Sequence, residues 1–339
     1  MYREDYDEIR STFEKFLGSW KTKDLDVLDE CFVPDTKCYL STVKDYSCGS
    51  QHSIYGIRNF VEDMAETDVF HIRICNYVSR IADNVGHQIA TVICRVAKYG
   101  DNKEINSFEF SALFANGWIK TETGSWKMNE VRMDIVDYSG DFEDFSKNWY
   151  FEDKNAKWYQ GVHLPVINGE LDSPWNRIPH SEIVLSEEEK VMETFSRYAF
   201  GIDTISFENV SPIFSDDFVA VMAPWGNLDK RGFMSTIKYH RQPARYWTHS
   251  VVPEKIEING DNAELRLYRM AGHKQRSHPI VITKENVDTE YACARYEVKM
   301  KKENGIWKLS RIEYFLGILE VGSYIEQDSE SVLDSVSLN

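Results

Sequence analysis

Apolar residues recur at three- and four-residue steps near the start of the chain (Tyr6, Ile9, Phe13, Phe16, Leu17, Trp20) and again past its midpoint (Val191, Met192, Phe195, Tyr198, Ala199). Each run predicts an amphipathic helix with charged residues on its outer face. The second run is preceded by Ser186-Glu187-Glu188-Glu189, a capping box with Ser186 as N-cap and Glu189 three positions on. Shorter helices are expected over 24–32 and 206–214, and third helices over 57–64 and 229–239. The period then falls to two. Segments 69–81, 87–98, 107–120 and 126–137 predict strands, with turns at Ala82-Asp83-Asn84, Tyr99-Gly100-Asp101-Asn102 and Glu122-Thr123-Gly124. Segments 250–258, 263–271, 290–302 and 306–319 repeat the scheme.

The two halves align as a repeat. His71, Asp83 and Asn84 match His249, Asp261 and Asn262 at one offset of 178 residues; Phe32-x-x-Asp35 matches Phe214-x-x-Asp217 at 182, and Gly124-Ser125-Trp126-Lys127 matches Gly305-Ile306-Trp307-Lys308 at 181. Helices followed by a strand meander predict an α+β class, as two tandem cone-shaped α+β-barrel domains, each with three N-terminal helices packed on a curved antiparallel sheet. The expected boundaries are 1–138 for the first domain, 139–186 for a connector, 187–321 for the second domain and 322–339 for a tail. The connector holds Pro165, Pro174 and Pro179 beside Trp149, Tyr150, Trp158, Tyr159 and Trp175. Flexible linkers are poor in aromatics, so this one is expected to be ordered and to pack along the two domains, with a short helix near 142–149. A lid over a pocket is the alternative.

A chain of 339 residues suits two cores rather than one. A formal charge of −16 opposes phosphate backbones and anionic membrane surfaces, so neither nucleic acid nor membrane is an expected partner. The charged N-terminal stretch has no apolar export segment, which predicts a cytoplasmic location. Six cysteines at irregular spacing predict buried free thiols rather than a disulfide framework or a zinc site. His273-x4-His278 and nearby His240 lack the spacing of metal ligands on one element and read as a solvated loop.

A sheet curved around helices leaves a cavity between its concave face and the first helix, where an apolar ligand pocket with a few polar groups is expected. In the second copy, Tyr198 and Asp203 lie five residues apart on the first helix, His249 opens the first long strand, and Arg311 and Glu313 lie on the last. In the first copy Phe16 and Lys21 replace the tyrosine and aspartate, and only His71 remains. Each residue also has a plainer reading: Tyr198 as a packing residue, Asp203 as a helix end or cap, His249 as a hydrogen-bonded strand histidine. The charges exchanged between Arg311 and Glu130, and between Glu313 and Arg132, could form cross-domain ion pairs.

The element order, the Phe-x-x-Asp after the second helix, the Gly-x-Trp-Lys turn opening the last strand, and the Tyr-x4-Asp plus strand histidine together resemble the SnoaL-like, nuclear transport factor 2-like superfamily. That superfamily includes polyketide cyclases, scytalone dehydratase, bile-acid dehydratase and ketosteroid isomerase. The resemblance spans about residues 4–138 and 187–321 and leaves out the connector. It implies Tyr198, Asp203 and His249 as the catalytic set, with Arg311, Trp225, Phe233, Trp247 and His71 as substrate-contacting candidates and no cofactor or metal. A histidine held by a carboxylate can take a proton from a carbon beside a carbonyl, and a phenol can steady the enolate. The expected function is a cofactor-independent lyase or isomerase, dehydratase- or cyclase-like, acting in the second domain on an apolar, carbonyl-bearing small molecule. A non-catalytic small-molecule-binding or scaffold protein is the alternative, with the two domains as an internal pseudo-dimer or the chain as a homo-oligomer.

Overall fold

The computed structural model describes residues 3–42, 51–101, 105–146, 149–151, 166–241, 248–270 and 280–323. Cys48, Trp158, Tyr159, Pro165, Trp247, His273, His278 and the tail beyond 323 lie outside the described residues. The chain divides into two compact units, one of Met1–Lys98 with Asn106–Leu185, the other of Tyr99–Ile105 with Ser186–Asn339.

The first unit opens with α1 (Arg3–Thr22) and α2 (Leu25–Glu30), the latter capped by the Asp24 side chain on the Val27 amide. Next come β1 (Phe32–Leu40), β2 (Gln51–Ser53) and α3 (Ile54–Glu62), and then the long strands β3 (Val69–Ala82), β4 (Val85–Tyr99), β5 (Ile105–Lys120) and β6 (Trp126–Ser139). They form one sheet in the order β2-β1-β6-β5-β4-β3, and α1 packs on β3 and β6. The second unit repeats this with α5 (Glu187–Asp203), α6 (Phe207–Val210), a 3-10 turn at Ser211–Ile213, β7 (Phe214–Met222), β8 (Gly226–Asp229), α7 (Lys230–Arg241), β9 (Val251–Asn259), β10 (Asn262–Met270), β11 (Thr289–Glu303) and β12 (Ile306–Ser323). Its sheet runs β8-β7-β12-β11-β10-β9, with α5 on β9 and β12. The class is α+β in both units.

Each sheet has six strands where four were expected, and it is mixed rather than wholly antiparallel. The Phe-x-x-Asp segments open β1 and β7, which run parallel to the last strands β6 and β12. Parallel pairing joins segments separated by the whole meander, so no local pattern announces it. These strands also lack clean alternation, since β1 buries Phe32 and Val33 together before exposing two residues.

One polar anchor recurs in each unit. Asp5, in the first turn of α1, accepts from the Trp126 indole at 2.8 Å and from Lys120 at 2.6 Å. Glu187, in the first turn of α5, accepts from the Trp307 indole at 2.8 Å and pairs with Lys302 at 2.5 Å. An acid at a helix N-terminus is favoured by the helix dipole, and here it also fixes the helix to the last hairpin. The capping box forms as expected, with Ser186 and Glu189 bonded reciprocally.

The described parts of the connector up to Leu185 belong to the first unit. Among the described residues 142–146 and 149 no helix forms; a turn closes instead, the Phe145 amide donating to the Phe142 carbonyl at 2.9 Å. Trp149 stacks on Phe60 with ring centroids 4.6 Å apart and donates its indole N–H to the Phe60 carbonyl. A single helical turn, α4 (Pro174–Arg177), follows, and Arg80 binds the carbonyls of Ile178 and Pro179. His87 bonds the Asp172 carbonyl at 2.7 Å, which requires the ring nitrogen to donate. The five described cysteines are free and buried. Among the described residues, no helix is long and apolar enough to cross a membrane.

Candidate functional site

The second unit encloses a cavity of about 340 Å³ between α5, α7 and the concave face of its sheet. Tyr198 and Ile202 of α5 line it, as do Met222, Trp225, Ile237 and His240, and across from them His249, Arg269, Tyr296, Tyr314 and Leu316. The rest of the inward face is closed by a continuous core that includes Val191, Phe195, Phe214, Phe218, Leu265, Leu267, Val298 and Leu309. Burial of such side chains stabilises by about 1.5–3 kcal/mol each, which holds the walls against collapse.

Asp203 is the last residue of α5, and both oxygens of its carboxylate reach His249. Oδ1 lies 2.6 Å from the Nδ1 of His249, and Oδ2 accepts the His249 backbone N–H at 2.8 Å. Both side chains are buried. The N-cap of α6 is Ser206, whose hydroxyl accepts from the Asn209 side chain at 2.7 Å. A carboxylate at Nδ1 fixes the tautomer with Nδ1–H, which puts the lone pair on Nε2. His249 lies just before β9 rather than within it, and Tyr198 meets its ring edge-on at 5.8 Å.

The helix end is tightly formed. A Cβ at Gly201 would meet Val210 Cγ2 at 2.3 Å and the Ser206 carbonyl at 3.0 Å, so glycine permits α6 to approach α5 beside Asp203. Ile205, in the turn between these helices, holds φ at 59°, a left-handed conformation that a β-branched residue rarely adopts.

Beside the dyad, on β10, Arg269 is buried and lines the same cavity. Its Nε donates to the Thr248 carbonyl at 2.8 Å and its Nη1 to the Tyr314 hydroxyl at 3.1 Å. Burial works against the guanidinium charge, but the neighbouring Tyr296, Cys293, Tyr314 and Asp203 outweigh it and hold Arg269 more firmly protonated than usual. Burial also raises the Tyr198, Tyr296 and Tyr314 phenols above their ordinary range, with Arg269 pulling the other way. All three stay neutral and able to donate.

The structure thus brings Tyr198, Asp203 and His249 together with Trp225 at the rim. Phe233 is buried behind Tyr198, with ring centroids 6.3 Å apart, and is not among the cavity-lining residues. Arg311 is a correction. The register shifts between Leu309 and Arg311, turning the arginine out to a charged groove, where it binds Glu313. Arg132 binds Glu130 in the same way and also pairs with Asp172 at 3.3 Å. His71 lies on β3 of the first unit, opposite Arg95, and takes no part in the lining of this cavity. His240, expected in a solvated loop, sits on α7 against Trp225. Among the described residues, no cluster of three His, Cys, Asp or Glu side chains could hold a metal ion.

Sequence reasoning missed Arg269, Tyr296 and Tyr314. A signal existed for two of them. Leu265, Leu267 and Arg269 share one parity on β10, and Ala294, Tyr296 and Val298 share one on β11. A charged residue on the inward parity of a strand is a candidate site residue.

Residues 184–313 match the family model of the SnoaL-like domain. No curated protein matches the chain. Solved structures similar to it include an NTF2-like protein of unknown function from Shewanella baltica, 16% identical, covering 40% of this chain and 96% of its own, with a TM-score of 0.29. A hexachlorocyclohexane dehydrochlorinase from Novosphingobium barchaimii is 12% identical over 40% of this chain and 90% of its own, with a TM-score of 0.32. The association domain of a C. elegans calmodulin-dependent kinase is 14% identical over 39% and 96%, also at 0.32.

Proposed function

We propose, from the match of residues 184–313 to the SnoaL-like domain model, that the second domain is a cofactor-independent lyase or isomerase acting on an apolar, carbonyl-bearing small molecule. The observation that supports this reading is the buried Asp203–His249 pair at the wall of a largely apolar cavity. In this reading His249 Nε2 removes a proton from the carbon beside the carbonyl, and Asp203 stabilises the imidazolium that results. The electron pair moves onto the carbonyl oxygen, where Tyr198 can donate a hydrogen bond. A hydroxyl on the β-carbon then departs as the enolate collapses to a conjugated double bond. The imidazolium proton leaves with it as water, so atoms and charge balance. Return of that proton to another carbon gives isomerisation instead.

The test uses the full chain in deuterated buffer with a panel of cyclic ketones and β-hydroxyketones. Deuterium incorporation beside the carbonyl, or the absorbance of a conjugated enone, is expected with the wild type and not with His249→Gln. Equal signals from both proteins across the panel would overturn the reading.

A further inference from the structure

We propose that the cavity reads its ligand at two ends: His240, with Thr236 one turn before it, forms a second polar subsite that takes a hydroxyl or carbonyl oxygen remote from the reacting carbonyl. The ligand is then an apolar ring system with an oxygen function at each end. That its inner end reacts rests on the reading above; the contact to His240 does not.

The lining of the cavity grades from buried to open. Tyr198 and His249 are buried, whereas Trp225 and Leu316 keep 43% and 65% of their surface exposed. Helix α7 follows the same gradient. Phe233 is buried, with its ring centroid 6.3 Å from that of Tyr198. His240 comes two helical turns later, after about 10 Å of rise, and its ring centroid lies 4.8 Å from that of Trp225. It is half-buried there and still lines the cavity. A group at this place meets the part of a ligand that lies nearest the mouth.

The residue types say what that part is. Phe233, Thr236, Ile237 and His240 recur at three- and four-residue steps, the pattern of a core-facing helix stripe. Thr236 and His240 stand four apart on it, so they are neighbours, and both line the cavity where apolar side chains would simply close the wall. The other polar lining residues, Tyr198, His249, Arg269, Tyr296 and Tyr314, come from α5, the sheet and the approach to β9, which leaves α7 with a set of its own. An imidazole in its neutral form presents one N–H and one lone pair, and a threonine hydroxyl both donates and accepts, which matches a ligand hydroxyl. Ile202, Met222 and Ile237 supply apolar wall for the ring system.

The experiment compares 2-tetralone with 6-hydroxy-2-tetralone, which differ by one hydroxyl at the far side of the fused rings, by calorimetric titration of the full chain at one pH and ionic strength. The wild type is expected to bind the hydroxyl compound about tenfold more tightly, the worth of roughly one net hydrogen bond. His240→Phe keeps a ring against Trp225 and should remove that preference while retaining affinity for 2-tetralone. Ile202→Trp, which fills the cavity, should abolish binding of both. Should His240→Phe fail to fold, Thr236→Val takes its place, with a several-fold smaller preference expected and an unchanged one counted against the subsite. A preference that survives His240→Phe overturns the proposal, as do equal affinities in the wild type, no binding of either probe, or binding that survives Ile202→Trp. Both ketones are also followed for hydrogen exchange in deuterated buffer. Preference without His249-dependent exchange defeats the enzymatic reading alone; exchange without the preference defeats the second subsite alone.

Discussion

The two units share a frame and differ in what fills it. Both fix the first helix to the last hairpin through an acid, an indole and a lysine, and both place a left-handed residue in the turn after that helix, Lys23 in the first and Ile205 in the second. At an offset of 182 residues, Phe16, Trp20 and Phe114 stand where the second unit has Tyr198, Ile202 and Tyr296; at 181, Met133 stands for Tyr314. The aromatic rings of the first unit meet one another, with Trp20 5.2 Å from Phe60 and 6.1 Å from Phe114. The same positions in the second unit line a cavity. Lys21, the counterpart of Asp203, is exposed, so the position that supplies the carboxylate to His249 holds a cation in the first unit. A few changes of side-chain size and polarity thus separate a packed core from a site on one backbone plan.

The largest expected effect breaks this comparison at the dyad. His249→Gln and Asp203→Asn should each lower exchange or turnover by about 10²–10⁴-fold, the usual worth of a positioned acid–base group. His71→Gln should leave the rate unchanged when all three variants are assayed on the same ketone. The next is a packing test. Trp20→Ile opens a void in the first unit and should cost about 3 kcal/mol in urea denaturation, since fully buried aromatic rings carry large transfer and cavity terms. A cost below about 1 kcal/mol would mean that the first unit is not closed by its aromatics.

A third prediction concerns acid. Burial, with Arg177 adding to it, pushes the pKa of His87 down to about 4, against the pull of its bond to the Asp172 carbonyl. The unfolded chain therefore takes up a proton first. This contribution is fully present above about pH 6.5 and is lost as the pH falls towards 4. Hydrogen exchange in 166–178 should accelerate across that window, and His87→Gln should remove the dependence.

In the second unit the corresponding loss comes lower. Bonds from Lys190, Lys302 and Trp307 hold the Glu187 carboxyl down at about 2, so its contribution stands above about pH 4.5 and fades as the pH approaches 2. The smallest effect is at the helix ends: Ile205→Gly should stabilise by about 1 kcal/mol by releasing a β-branched residue from the left-handed region, and Lys23→Gly by less.

The order of helices and long strands, the repeat, the capping box and the Tyr198, Asp203 and His249 set were all legible in residue order, because helix and strand periods, cap chemistry and register between two copies are local or pairwise properties of sequence. Arg269 was legible in principle from strand parity. Arg311 misled because a register shift reverses parity, and a bulge leaves no mark in composition.

The sequence by itself therefore determined which elements form, that they form twice, and which copy keeps a carboxylate for its histidine. Only the tertiary structure decided that β1 and β7 join the last strands in parallel, that the described parts of the connector close on the first unit, and that Arg269 and three phenols line one cavity with His249. Those outcomes depend on which distant surfaces meet, and that is set by the packing of whole elements rather than by the preference of any one segment.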